Sequence, residues 1–164
     1  MSKSEIFDTE LFVELSAGLP RQGPGSTEAT LRALSMVRRL PARPRILDIG
    51  CGPGAQTIDL ERATGGEIVA LDNRQRFLDE MLARAAKAGV SSQIEAVCGS
   101  MFEMDFPEPS FDLIWSEGAI YIMGFGAGLR TCRRFLKPSG SIVVSELTWL
   151  TDDPAAEARD HWAQ

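Results

Sequence analysis

The apolar positions of the chain change period several times, and each change predicts a new element. Over 5–19, Ile6, Phe7, Leu11, Phe12 and Leu15 recur at helical spacing, which predicts an amphipathic helix ended by Pro20. Arg21-Gln22-Gly23-Pro24-Gly25-Ser26 reads as a flexible loop. Ser26 or Thr27 is then placed to cap a helix that carries Leu31, Leu34, Val37 and Leu40 on one face. Pro41-Ala42-Arg43-Pro44 stops it. From residue 45 the pattern alternates. Short, near-continuous apolar runs predict strands at 45–49, 67–72, 93–98, 111–116 and 140–147, with helices at about 54–64, 74–88 and 125–136 between them. Strands without a polar face, separated by helices, predict an α/β fold: a mostly parallel, twisted, Rossmann-like sheet of about five strands covered on both faces. Thr151 to Asp153 ahead of Pro154 predict a short last helix.

Two junctions in this pattern carry chemistry. The first apolar run, Ile46-Leu47-Asp48-Ile49, enters a glycine turn, Gly50-Cys51-Gly52-Pro53-Gly54, and the second, Ile68-Val69-Ala70-Leu71, ends on Asp72. Glycines admit a ligand close to the backbone, and a carboxylate at the next strand end can accept two ribose hydroxyls. A nucleoside-containing cofactor is therefore expected. The glycines follow GxGxG, whereas a pyrophosphate-binding turn prefers GxGxxG with its helix N-terminus on the phosphates. S-adenosylmethionine has no phosphate to cradle. It needs room for its methionine part and a carboxylate near its ammonium group, which Asp48 can supply directly or through water.

At this point the chain resembles the class I S-adenosylmethionine-dependent methyltransferases. The likeness rests on Leu47 to Gly54, on Asp72 with Asn73, on Gly99-Ser100-Met101 and on Leu136-Lys137-Pro138-Ser139-Gly140, with Phe111 to Ser116 as the fourth strand. Together these span 45–147. The resemblance implies that Gly50, Gly52 and Gly54 lie along the methionine part, that Asp72 takes the ribose, and that Asn73 beside it also belongs to the cofactor site. It implies that Ser100 and Met101 flank the adenine, where many relatives carry an aspartate. It adds Ser116, and it brings Gln22 with Arg21 into a segment folding over the cofactor. By the same resemblance 1–44 is an N-terminal helical segment with a covering loop, and 45–164 is the cofactor-binding domain. Structural readings stay open beside these: Asp72 as a helix cap, Asp48 as a brace for the turn, Met101 as core, and 21–22 as solvated linker.

Methyl transfer is an in-line displacement, so the main task is to position the acceptor. A base matters only where the acceptor must lose a proton. The segment Ser116-Glu117-Gly118-Ala119-Ile120-Tyr121 follows the fourth strand, where an α/β sheet places its acceptor site. Glu117 and Tyr121 are the catalytic candidates. Glu117 is open to three uses: accepting a proton, binding a cationic acceptor, or holding the cofactor's positive end. On this reading Glu117→Gln lowers turnover far more than cofactor affinity. The alternatives are a carboxylate bonded to backbone and a tyrosine that merely packs. Trp115 faces the core by alternation and receives no role.

Several subclasses are disfavoured. After the fourth strand there is no Asn/Asp-Pro-Pro-Tyr run, no Pro-Cys pair supplies a nucleophile, and the lysines are only Lys3, Lys87 and Lys137. With one histidine, His161, no metal site is expected. What remains is the small-molecule branch, similar to quinone, sterol or amine methyltransferases, with S-adenosylhomocysteine as product.

The totals fit one domain: 164 residues, 44% apolar and 24% charged. A formal charge of −6 disfavours nucleic acid as partner. Cys51, Cys98 and Cys132 lack framework spacing, which predicts free thiols and, without a leader or membrane span, a cytoplasmic protein. Relatives of this type usually end with a sixth and a seventh strand, and the pattern here stops before both. The fifth strand would then be an apolar edge, and homo-oligomers through it are expected. The shortened chain leaves a second class open, a module that binds S-adenosylmethionine without turnover.

Overall fold

The computed structural model describes residues 14–15 and 18–162. The helix expected over 5–19 lies almost wholly outside the described residues. The chain divides into two compact units, Pro20–Glu146 and a second one made of Met1–Leu19 with Leu147–Gln164. In the second unit, a helix follows Pro154 as the sequence predicts, at Ala156–Trp162.

The larger unit runs α1 (Thr27–Ser35), β1 (Arg45–Ile49), α2 (Ala55–Thr64), β2 (Glu67–Asp72), α3 (Gln75–Ala88), β3 (Ile94–Cys98), β4 (Phe111–Glu117), α4 (Phe125–Arg133) and β5 (Leu136–Ser145). All neighbouring strands pair in parallel, in the order β3-β2-β1-β4-β5. This is the doubly covered sheet that the alternation predicts. Period-two alternation sorts the strand residues between two cores. Ile46, Ile68, Ala70, Leu113 and Trp115 meet Ile58 and Leu60 of α2 and Leu78, Met81 and Ala85 of α3. On the other face Leu47, Ile49, Val69, Leu71 and Ile114 meet Met104, Ile120, Cys132 and Phe135.

Element boundaries depart from the periodicity in three places. Ser26 caps α1 by accepting from the Ala29 amide at 3.2 Å, but the helix ends at Ser35. Val37 and Leu40 reach the core from the following loop instead of from a helical face. α4 stops at Arg133, three residues short of its expected end. β5 begins at Leu136, four residues early, because Lys137 to Gly140 form an irregularity inside the strand and not a turn before it. The register jumps from Phe111–Leu136 to Leu113–Ser141 across this segment. A methyl on Gly140 would lie 2.9 Å from Leu136 Cδ2 and 3.0 Å from the Lys137 carbonyl oxygen, so the kink needs glycine.

Candidate functional site

The carboxyl ends of β1, β2 and β4 converge on the glycine turn. Gly50, Gly52 and Gly54 all hold left-handed φ, at 70°, 53° and 83°, a region that costs other residues energy. Space is short at two of them. A methyl on Gly50 would sit 2.4 Å from Ala119 Cβ, and one on Gly54 2.0 Å from Met81 Cγ. The amides of Gly50 and Cys51 both donate to the Leu71 carbonyl, at 2.8 and 3.1 Å, which ties the turn to the end of β2.

Asp72 completes that tie. Its Oδ2 accepts from the Gly52 amide and its Oδ1 from the Arg74 amide, each at 2.9 Å. Burial raises its pKa, and the backbone N–H groups of Arg74, Gly52 and Asn73, with the Arg74 charge, oppose the rise. Each carboxylate oxygen keeps a second lone pair. Asn73 beside it is exposed.

Asp48 is wholly buried on β1. Thr57 Oγ1 donates to its Oδ2 at 2.6 Å and Gln56 Nε2 at 3.2 Å. Gln56 also donates to the Cys51 carbonyl at 3.1 Å, so the acid, the first turn of α2 and the glycine turn form one network. Desolvation pushes the Asp48 carboxyl up to about 7, and the charges of Glu117 and Asp72 add to the rise. Cys51 is buried in the same turn, and its thiol is pushed up by desolvation and by the nearby Asp48 and Asp72. All three cysteines are free thiols.

The remaining sequence candidates divide. Met101 points its methyl toward the turn, 3.8 Å from a Cβ placed on Gly50. Ser100 uses its hydroxyl locally, accepting from the Phe102 amide at 3.2 Å. Ser116 is buried and donates to the Ile49 carbonyl at 3.0 Å, joining the ends of β4 and β1. Gln22 lies against the turn, its Cγ 3.5 Å from a Cβ on Gly52. Tyr121 sits in a short 3₁₀ segment, Ile120–Met123, and is exposed along with Ile122 and Phe125.

Glu117 is nearly enclosed and bonded on both oxygens. Oε1 accepts from Thr30 Oγ1 at 2.7 Å and from Trp115 Nε1 at 2.9 Å, while Oε2 pairs with the Arg21 guanidinium. Arg21 also reaches Asp59 at 3.9 Å. Two of these partners are new to the site: Thr30, which the sequence does not single out, and Trp115, to which it gives no role. Trp115 carried a usable signal, because residues two apart on a strand share a face and an indole N–H can reach the acid at i+2. Thr30 carried none, since it comes from a helix distant in sequence.

With this geometry in view, likeness to known proteins becomes informative. Residues 46–140 match the family model described as a methyltransferase domain. The chain belongs to that family. Over 110 residues this methyltransferase domain is 33% identical to sterol 24-C-methyltransferase ERG6A of Gibberella zeae, covering 66% of the chain but 28% of that protein. Among solved structures it is similar to an SAM-dependent methyltransferase from Thiobacillus denitrificans, crystallised with S-adenosyl-L-homocysteine. That match has TM-score 0.80 and 26% identity, and covers 93% of this chain and 61% of that one. The [4+2]-cyclase SpnF shares the fold at TM-score 0.65 and 24% identity, covering 72% of this chain and 43% of that one. The chain thus spans under a third of the sterol enzyme's length, and the fold by itself does not specify methyl transfer. Among the described residues no helix is long and apolar enough to cross a membrane.

Proposed function

We propose that this methyltransferase domain binds S-adenosylmethionine and methylates a small-molecule acceptor. The observation that carries the reading is Asp72, held at the end of β2 by the Gly52 and Arg74 amides with one lone pair left on each oxygen. Two ribose hydroxyls would use those lone pairs and return solvation to a carboxylate that burial has partly stripped of water. Gly50, Gly52 and Gly54 would keep side chains away from the methionine part, with Asn73 beside Asp72, Ser100 and Met101 around the base and Gln22 above. Asp48 and Ser116 would act from beneath by fixing the turn and the strand ends, Asp48 adding negative potential below a cationic ligand. When bound, S-adenosylmethionine supplies a sulfonium methyl that the acceptor's nucleophilic atom takes in line, the S–C electron pair staying on the sulfur of S-adenosylhomocysteine.

Tyr121 is proposed as an acceptor contact, because it stands exposed at the mouth beyond β4. Pairing of two copies along β5, the last strand of the described sheet, is proposed as the route to any homo-oligomer. Light scattering tests it, and a monomer at high concentration would count against it.

Calorimetric titration with S-adenosylmethionine, S-adenosylhomocysteine and NADH, repeated on Asp72→Ala, tests the cofactor. Binding of the two adenosyl ligands alone, weakened about 100-fold by the substitution, is expected, a loss of about 2.7 kcal/mol. Binding of NADH, or no effect at Asp72, would overturn the assignment.

A further inference from the structure

The segment 20–26 is not merely laid beside the glycine turn. Arg21, only 13% exposed, sends its guanidinium to Glu117 at the end of β4, to Thr30 Oγ1 of α1 at 3.4 Å and to Asp59 of α2 at 3.9 Å. Thr30 in turn donates to Glu117, and Trp115 donates to the same carboxylate. Gly25 closes the segment over the pair: with φ 145°, a methyl there would stand 3.3 Å from both Arg21 Cδ and Glu117 Oε2. The residue after Arg21, Gln22, is the one whose side chain lies against Gly52. One cation therefore ties three parts of the domain to the strap, at a place where the charges of Glu117 and Asp72 both bear unfavourably on Asp48.

We infer that Arg21 is a positioning residue. Its pairing with Glu117 latches residues 20–26 over the glycine turn and sets Gln22 against the bound cofactor, so that the acid at the end of β4 serves cofactor retention rather than proton transfer. The inference rests on the proposed function for the ligand, but not for the latch itself. It reverses the order of effects expected from the sequence, in which Glu117→Gln spares cofactor affinity. Both Glu117 oxygens are engaged, one of them twice, which leaves the carboxylate poorly placed to take a proton from an acceptor.

The test uses Arg21→Gln, Glu117→Gln and the double variant. Without any ligand, amide order parameters at Gln22, Gly23 and Gly25 should fall from about 0.85 to below about 0.6 in each variant, with β1 and β2 unchanged. S-adenosylhomocysteine should dissociate about tenfold faster from each single variant and again only about tenfold faster from the double, the non-additivity expected of one shared contact. KM for S-adenosylmethionine should rise about tenfold with kcat changed by less than about threefold. Unchanged order parameters, additive dissociation rates, or a fall in kcat alone would each overturn the latch. Should Glu117→Gln not fold, Arg21→Gln decides alone, since it alters a loop. If the parent chain binds no S-adenosylhomocysteine, the proposed function fails while the order parameters still judge the latch.

Discussion

The turn after β1 and the turn after β4 face each other across the site, and they are built to opposite standards. In the first, three glycines hold left-handed backbone, two have no room for a methyl, and the acids on either side, Asp48 buried and Asp72 partly buried, are bonded to amides, hydroxyls or amide side chains. In the second, Gly118 and Gly124 also have positive φ, at 62° and 74°, but a methyl on either meets nothing within 4 Å, and Tyr121, Ile122 and Phe125 stand exposed. On the proposed function, the first turn is fitted to one ligand. The second has the space and the apolar surface to be refitted to many. Binding of a shared cofactor and choice of an acceptor make those two different demands.

Matched substitutions make the contrast measurable. Gly54→Ala drives a methyl into Met81 and should cost more than about 3 kcal/mol of unfolding free energy, whereas Gly118→Ala incurs only the left-handed backbone cost of about 1–2 kcal/mol. Equal losses in urea melts would erase the distinction. Asp72→Ala leaves the Gly52 and Arg74 amides without their acceptor and should cost about 2 kcal/mol in addition to its effect on ligand binding.

A smaller effect separates the two sides by pH. The Asp48 carboxyl titrates near 7 when folded and near the ordinary 3.8 when unfolded, so the folded state binds the extra proton between those values. Its contribution is present in full below about pH 4 and is lost as pH rises through about 7. Relative to Asp48→Asn, the parent should therefore lose about 1 kcal/mol per pH unit between pH 5 and 6.5, and a flat difference would sink this account. Tyr121→Ala should do least. Stability should move by less than about 0.5 kcal/mol and S-adenosylhomocysteine affinity should stay put, with any change confined to acceptor kinetics. A weakened cofactor site would mean that the two turns are not separable.

The same contrast explains what could be read from the sequence. The β1 turn was readable because its constraints are local: left-handed backbone needs glycine, and parallel strands need unbroken apolar runs, so β1 and β2 begin and end where the pattern says. β5 was misplaced because Lys-Pro-Ser-Gly has the composition of a turn while its pairing with β4 is a tertiary matter. Glu117 could be singled out, and its neighbour Trp115 could have been paired with it, but Arg21 and Thr30 could not, because they lie far away in sequence. The acceptor side gave least, since exposed apolar residues at the end of a strand obey no periodicity.

The two amides on Asp72 have a thermodynamic consequence. They join the backbone after β1 to the backbone before α3, so the surface that would receive a ribose loses its freedom when the chain folds and not when a ligand arrives. Little ordering entropy is then left to oppose association at that point, and calorimetry should register a ribose-directed contact mainly as heat. Loosening either amide, even with Asp72 intact, would shift that signature toward an entropic penalty before it altered the list of contacts.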